Sequence, residues 1–110
     1  MTQTVRLPAA EFPPPGEGEL KSLHLDEASG GPLLIVVGRA GGRLFAMEST
    51  CAHAGGDLSA GTIEGGCLVC PRHGMRYAVA DGRSADPRYA QEFYPVEEDG
   101  GEIRIIVPTD

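Results

Sequence analysis

Glycine and proline punctuate this chain so densely that no long helix fits between them. Sixteen glycines and nine prolines stand among 110 residues, and both types end helices or supply backbone angles that other residues avoid. Pro13, Pro14 and Pro15 fix an extended loop near the start. Turn signals then recur at short intervals, at Gly30-Gly31-Pro32, at residues 38–42, at Glu64-Gly65-Gly66, at Asp81-Gly82 and at Asp99-Gly100-Gly101. The stretches between them read as strands over 4–7, 19–25, 33–37, 43–47, 94–96 and 102–107, with short strands on either side of the 64–66 and 81–82 turns. No 3.6-residue periodicity and no internal repeat competes with that reading. The expectation is an all-β protein, an antiparallel sandwich or barrel, forming one domain over residues 1–110.

Charge and cysteine count narrow the function. Acidic residues outnumber basic ones 16 to 9, giving a net charge of −7; a binder of the nucleic-acid backbone needs the opposite balance. The longest aliphatic run, residues 33–37, falls far short of the ~20 residues that cross a bilayer. Residues 1–10 contain nothing like a secretion signal. The expected setting is the cytoplasm, with no membrane and no nucleic acid as partner. Three cysteines are too few, and odd in number, for a disulfide scaffold, so reduced thiols are free to bind metal, to react or simply to fill space.

All three cysteines and two of the three histidines fall within residues 50–75. One arm reads Cys51-Ala52-His53, and the other, sixteen residues on, reads Cys70-Pro71-Arg72-His73. Each arm offers one thiolate and one imidazole. A structural zinc site usually takes a matched pair from each arm. Mixed arms suit two metal atoms side by side, Cys51 and Cys70 sharing one while His53 and His73 share the other. That donor set is the one found at a Rieske [2Fe–2S] centre; mononuclear zinc is the alternative.

The two arms, extended to Cys51-Ala52-His53-Ala54-Gly55-Gly56 and Cys70-Pro71-Arg72-His73-Gly74, resemble the cluster-binding loops of the Rieske family. The linker around Leu58-Ser59-Ala60-Gly61 and the following Tyr77-Ala78-Val79 and Tyr94-Pro95-Val96 are similar to that family too, over about residues 33–107. The resemblance implies a Rieske-like β sandwich with a two-loop cluster-binding subdomain at about residues 48–78. It also implies one [2Fe–2S] cluster held by Cys51, His53, Cys70 and His73. The function implied is that of a ferredoxin, carrying single electrons from a flavin-containing reductase to a terminal oxygenase or related redox enzyme, with no catalysis of its own. The alternatives are a fixed small subunit of a nitrite reductase-like enzyme and a structural zinc module. High-potential members of the family add a cysteine to each loop and join the two; the matching positions here are Gly56 and Arg72, so no such disulfide forms. Met75 replaces a serine that bonds a cluster sulfide in those members, whereas Tyr77 matches their sulfur-bonding tyrosine. The balance implies a potential in the lower half of the family's range, raised slightly by Tyr77.

Other residues have plainer readings. Cys67 makes a Cys-x-x-Cys spacing with Cys70, but a small hydrophobe in a strand is expected more often than a redox pair. His24 is expected at the surface. Gly55, Gly56 and Gly74 allow close approach of the backbone, and Pro71 stiffens the second loop. Arg72, Arg76, Arg83 and Arg88 form either a docking rim or a solvated face, with Arg72 the candidate for a partner contact. Glu97-Glu98-Asp99 marks an acidic hairpin.

Overall fold

A computed structural model describes residues 2–25, 33–51, 56–72 and 74–108. The turn at Gly30-Gly31-Pro32 lies outside them, as do His53, Ala54, Gly55 and His73. The described residues carry the strands β1 (Thr2–Leu7), β2 (Leu20–Leu25), β3 (Leu33–Ala40), β4 (Arg43–Glu48), β5 (Thr62–Glu64), β6 (Cys67–Val69), β7 (Arg76–Ala78), β8 (Phe93–Tyr94), β9 (Val96–Asp99) and β10 (Glu102–Pro108). A single 3-10 turn, Leu58–Ala60, is the only helical element among them. The strands form three antiparallel sheets, ordered β1-β10-β9, β2-β3-β4-β8 and β5-β6-β7. The expectation of an all-β antiparallel architecture holds.

The four-stranded sheet lies in the middle and is buried on both faces. On one face Ile35, Val37, Ala46 and Tyr94 pack against Ile103, Ile105 and Val107 of β10. On the other, Val36, Phe45 and Met47 pack against Leu58, Leu68, Tyr77, Cys51 and Cys70. Alternate side chains of a strand point to opposite faces. A strand covered on both sides therefore reads as an unbroken aliphatic run, which is what residues 33–37 show, and residues 35–38 are buried in succession in place of alternation.

Three boundaries differ from the sequence expectation, each for a local reason. Gly38 is not the start of a turn but an interior residue of β3, because the Phe45 ring lies where its side chain would be: a Cβ there would stand 2.6 Å from Phe45 Cζ. The turn is the pair Gly41 and Gly42, with φ of 63° and 80°, as a two-residue hairpin requires. Residues 94–96 are not one strand. Tyr94 pairs with Ala46 in the central sheet while Val96 pairs with Ile105 in the next, and Pro95, which has no N–H to donate, stands between. After Asp81-Gly82 the chain makes one isolated bridge, Arg83 to Ala90, rather than a second strand. The expected hairpins at Gly65-Gly66 and Gly100-Gly101 are present.

The path between β4 and β8 is what places the site. The chain leaves the central sheet at Glu48 and returns at Glu92, whose carbonyl accepts the Glu48 N–H at 2.9 Å. Everything between, including both arms and the sheet β5-β6-β7, is built outward from that junction.

Candidate metal centre

The first arm leaves β4 through a buried Ser49, whose N–H donates to the Leu34 carbonyl at 2.8 Å and whose carbonyl accepts the Leu58 N–H at 2.7 Å. Asp57 starts the 3-10 turn, its carboxylate accepting the Ser59 N–H at 2.9 Å and the Ser59 hydroxyl at 2.7 Å. Between these anchors the Cys51 N–H donates to the Gly56 carbonyl at 2.8 Å. The second arm leaves β6 and returns as β7, and there the Cys70 N–H donates to the Met75 carbonyl, also at 2.8 Å. Gly74, at φ 71°, donates back to the Cys70 carbonyl at 3.0 Å. Each candidate cysteine thus opens a loop closed by its own amide on the carbonyl five residues ahead.

Both cysteines are buried in one core group, Cys51 at 2% and Cys70 at 1% exposure. None of the three cysteines is joined to another. The Tyr77 hydroxyl lies 3.1 Å from Cys51 Sγ, so the tyrosine singled out in the sequence does meet a candidate ligand sulfur. Tyr77 itself is fully buried. The other two candidates, His53 and His73, lie outside the described residues; among the described residues no group of three metal-ligating side chains occurs. Gly56 and Arg72, the positions matching the absent disulfide, stand against each other: a Cβ on Gly56 would be 3.1 Å from Arg72 Cγ. Cys67 is half-buried rather than core filler, and strand alternation turns it to the face opposite Cys70. Three residues of extended chain separate their Cα atoms by roughly 10 Å, beyond disulfide reach. Cys67 and Cys70 therefore do not form a redox pair in this fold.

Two residues that sequence reasoning missed hold the arms in place. Gln91, only 5% exposed, donates from Nε2 to the Glu48 carbonyl at 2.7 Å and to the Thr50 carbonyl at 2.8 Å. A buried amide thus fixes the main chain immediately before Cys51. Nothing in a lone glutamine 41 residues away signals this. Gly61 lets β5 lie against β6: a Cβ on it would stand 2.1 Å from the Val69 carbonyl oxygen, one residue before Cys70.

Arginines around the second arm meet acids close by in the chain or across a strand pair. Arg76 pairs with Glu64 at 3.5 Å, Arg83 with Asp81 at 3.9 Å and Arg88 with Asp86 at 2.8 Å. Asp86 accepts hydrogen bonds from Arg88 and holds its guanidinium pKa above the usual value. Three of the four arginines near the second arm therefore face their own acids, which favours the solvated-face reading over a basic docking rim. The acidic hairpin is balanced likewise, Arg39 meeting Glu98 at 3.0 Å and Arg104 meeting Glu97 at 3.5 Å. His24 is exposed, as expected, and borders a cavity of about 400 Å³ with Thr50 and Asp57. No helix among the described residues is long and apolar enough to cross a membrane.

Two buried cysteine sulfurs, one at hydrogen-bond distance from a buried hydroxyl and neither spent in a disulfide, fit the sulfur side of an iron–sulfur group. Comparison with known proteins decides which group. Residues 4–97 match the family of the Rieske [2Fe-2S] domain. The chain belongs to that family. Its cofactor is accordingly a [2Fe–2S] cluster. Over 78 residues this Rieske chain is 35% identical to the anthranilate 1,2-dioxygenase ferredoxin subunit of Burkholderia cepacia, a match covering 66% of this chain and 69% of that one. It is 33% identical over 73 residues to a probable 3-ketosteroid-9-alpha-monooxygenase oxygenase component of Rhodococcus rhodochrous, covering 66% of this chain but 18% of that larger protein. Among solved structures it is similar, at TM-score 0.74 and 27% identity, to a chain from a complex of reduced oxygenase and oxidized ferredoxin in carbazole 1,9a-dioxygenase, covering 97% of this chain and 95% of that one.

Proposed function

We propose that this Rieske chain is a ferredoxin, a one-electron carrier between a flavin-containing reductase and a terminal oxygenase or related redox enzyme, organised as one domain. Its ligands are Cys51, His53, Cys70 and His73. The observation that carries the assignment is the burial of Cys51 and Cys70 in one core group, each at the mouth of a loop closed in the same way. When bound, the cluster supplies reversible one-electron transfer, at a potential above that of all-thiolate centres because two imidazoles replace two thiolates.

The chain's own residues set the conditions for that transfer. The apolar wall of Val36, Phe45, Met47, Leu58 and Leu68 excludes water from the sulfur side. Tyr77 places one hydroxyl donor on Cys51 Sγ, which favours the more negative, reduced state. Gln91 and Gly61 hold the approaches to the two cysteines, so the ligand frame keeps its shape as the electron arrives and leaves. Asp57 fixes the exit of the first arm.

The test is an absorption and EPR spectrum of the purified protein before and after dithionite, with stopped-flow reduction by a flavoprotein reductase. A coloured protein whose reduced form gives a rhombic signal, and which exchanges electrons while free in solution, is the expected result. A colourless protein with stoichiometric zinc refutes the redox assignment. A cluster that transfers electrons only inside a tight complex with a larger enzyme refutes the mobile carrier in favour of a fixed subunit.

A further inference from the structure

Gly56 and Arg72 sit where the two arms touch, and their significance rests on Cys51 and Cys70 being ligands. Gly56 is buried, and its φ is not among the positive ones, so no backbone angle demands glycine there. Space does. A methyl group built on Gly56 would stand 3.1 Å from each of three atoms, Arg72 Cγ, Arg72 Cδ and Cys70 Sγ. All three belong to the second arm and all three converge on one point of the first. Arg72 is an exposed residue, yet two of its methylenes lie inward, on Gly56 and towards Cys70, a residue only 1% exposed. Arginine does this well, because its stem covers apolar surface while its guanidinium stays in water.

We propose that Arg72 is a positioning residue whose methylene stem, seated on Gly56, closes the gap between the two arms and keeps water from the Cys70 sulfur. The role belongs to the stem and not to the charge, which separates it from a contact to a redox partner. Gly56 is then the complementary half of the same device: it leaves the room that the stem occupies, while its carbonyl holds the Cys51 amide. One glycine thereby touches the surroundings of both cysteines.

The test uses the iron-loaded protein and follows loss of visible absorption in excess chelator, with the reduction potential as a second readout. Arg72→Met keeps a stem and removes the charge; Arg72→Ala removes both. The expected rates of iron loss are within about twofold of wild type for Arg72→Met and about tenfold faster for Arg72→Ala. Gly56→Ala is expected to accelerate loss about tenfold in the wild-type background and less than about threefold in the Arg72→Ala background, the non-additivity of groups in contact. The potential of Arg72→Ala should lie above that of Arg72→Met, since water at the sulfur favours the more negative reduced state. Equal rates and potentials for Arg72→Met and Arg72→Ala would overturn the proposal, as would the same cost of Gly56→Ala in both backgrounds. A wild-type protein that holds no iron sinks the ligand assignment itself, and the inference with it.

Discussion

Tyr77→Phe removes one oxygen atom from a fully buried side chain and leaves its ring packed where it was. The lost group is the hydroxyl 3.1 Å from Cys51 Sγ. A hydrogen bond to a charged acceptor contributes about 1.5–3 kcal/mol, and only the part that differs between oxidation states moves the potential. If a third to a half of it differs, the reduced state loses about 0.5–1.5 kcal/mol. For one electron, about 1.4 kcal/mol is a factor of ten and corresponds to about 59 mV, so the potential should fall by about 20–65 mV. The sign follows from charge: the reduced state is the more negative, and it loses the donor. Square-wave voltammetry on wild type and Tyr77→Phe measures the shift directly. Iron content should be unchanged, because the ring still fills its place against Leu58, Leu68 and Met47. An unchanged or higher potential at full iron occupancy would refute the reasoning.

Further outcomes concern the arms and the core. Gly61→Ala places a methyl group 2.1 Å from the Val69 carbonyl oxygen, so β6 must shift by more than an ångström next to Cys70; purified protein should carry little iron. Gly65→Ala, at φ 56° with nothing near its Cβ, should cost only the strain of a left-handed residue, about 1–2 kcal/mol, and keep its iron. Gln91→Leu leaves two carbonyls without their donor, at about 1–3 kcal/mol for each buried group, and the loss should appear as a lower melting temperature together with faster iron release. Burial, with Glu48 and Glu92 nearby, pushes the Tyr94 hydroxyl up from 10.0 to about 12. The folded state therefore keeps its proton where the unfolded state loses it, so this contribution is complete below pH 10 and disappears by about pH 12. Thermal melts across that range should fall more steeply for wild type than for Tyr94→Phe.

How far the sequence carries depends on the range of the forces involved. The hairpins at Gly65-Gly66 and Gly100-Gly101 were legible because a positive φ is a local demand that glycine meets locally. The aliphatic run in β3 announced burial, though not that it serves two cores, since that depends on β10 and on the 49–91 segment arriving from opposite sides. Gly38 misled for the same reason: the Phe45 ring that replaces its side chain comes from the neighbouring strand. At the candidate metal centre, spacing singled out Cys51 and Cys70, which the structure places in one buried group, and Tyr77 came from family resemblance. Gln91 was illegible because its partners are main-chain carbonyls, which every residue possesses and no residue type reveals. Gly61 was read as linker, since nothing in one sequence shows how near Val69 passes.

The hydrogen bond from Glu48 to Glu92 has a consequence for inheritance. Two cut points one hydrogen bond apart mean that residues 49–91 can be exchanged between related scaffolds without rerouting the rest of the chain. A transplanted segment meets its new host mainly through the buried Val36, Phe45 and Met47 of the central sheet, with Leu20, Ala40 and Phe93 at their margin. Tuning of the metal site and remodelling of the β1-β10-β9 side can therefore proceed in separate lineages and be recombined, provided the side chains at that seam match.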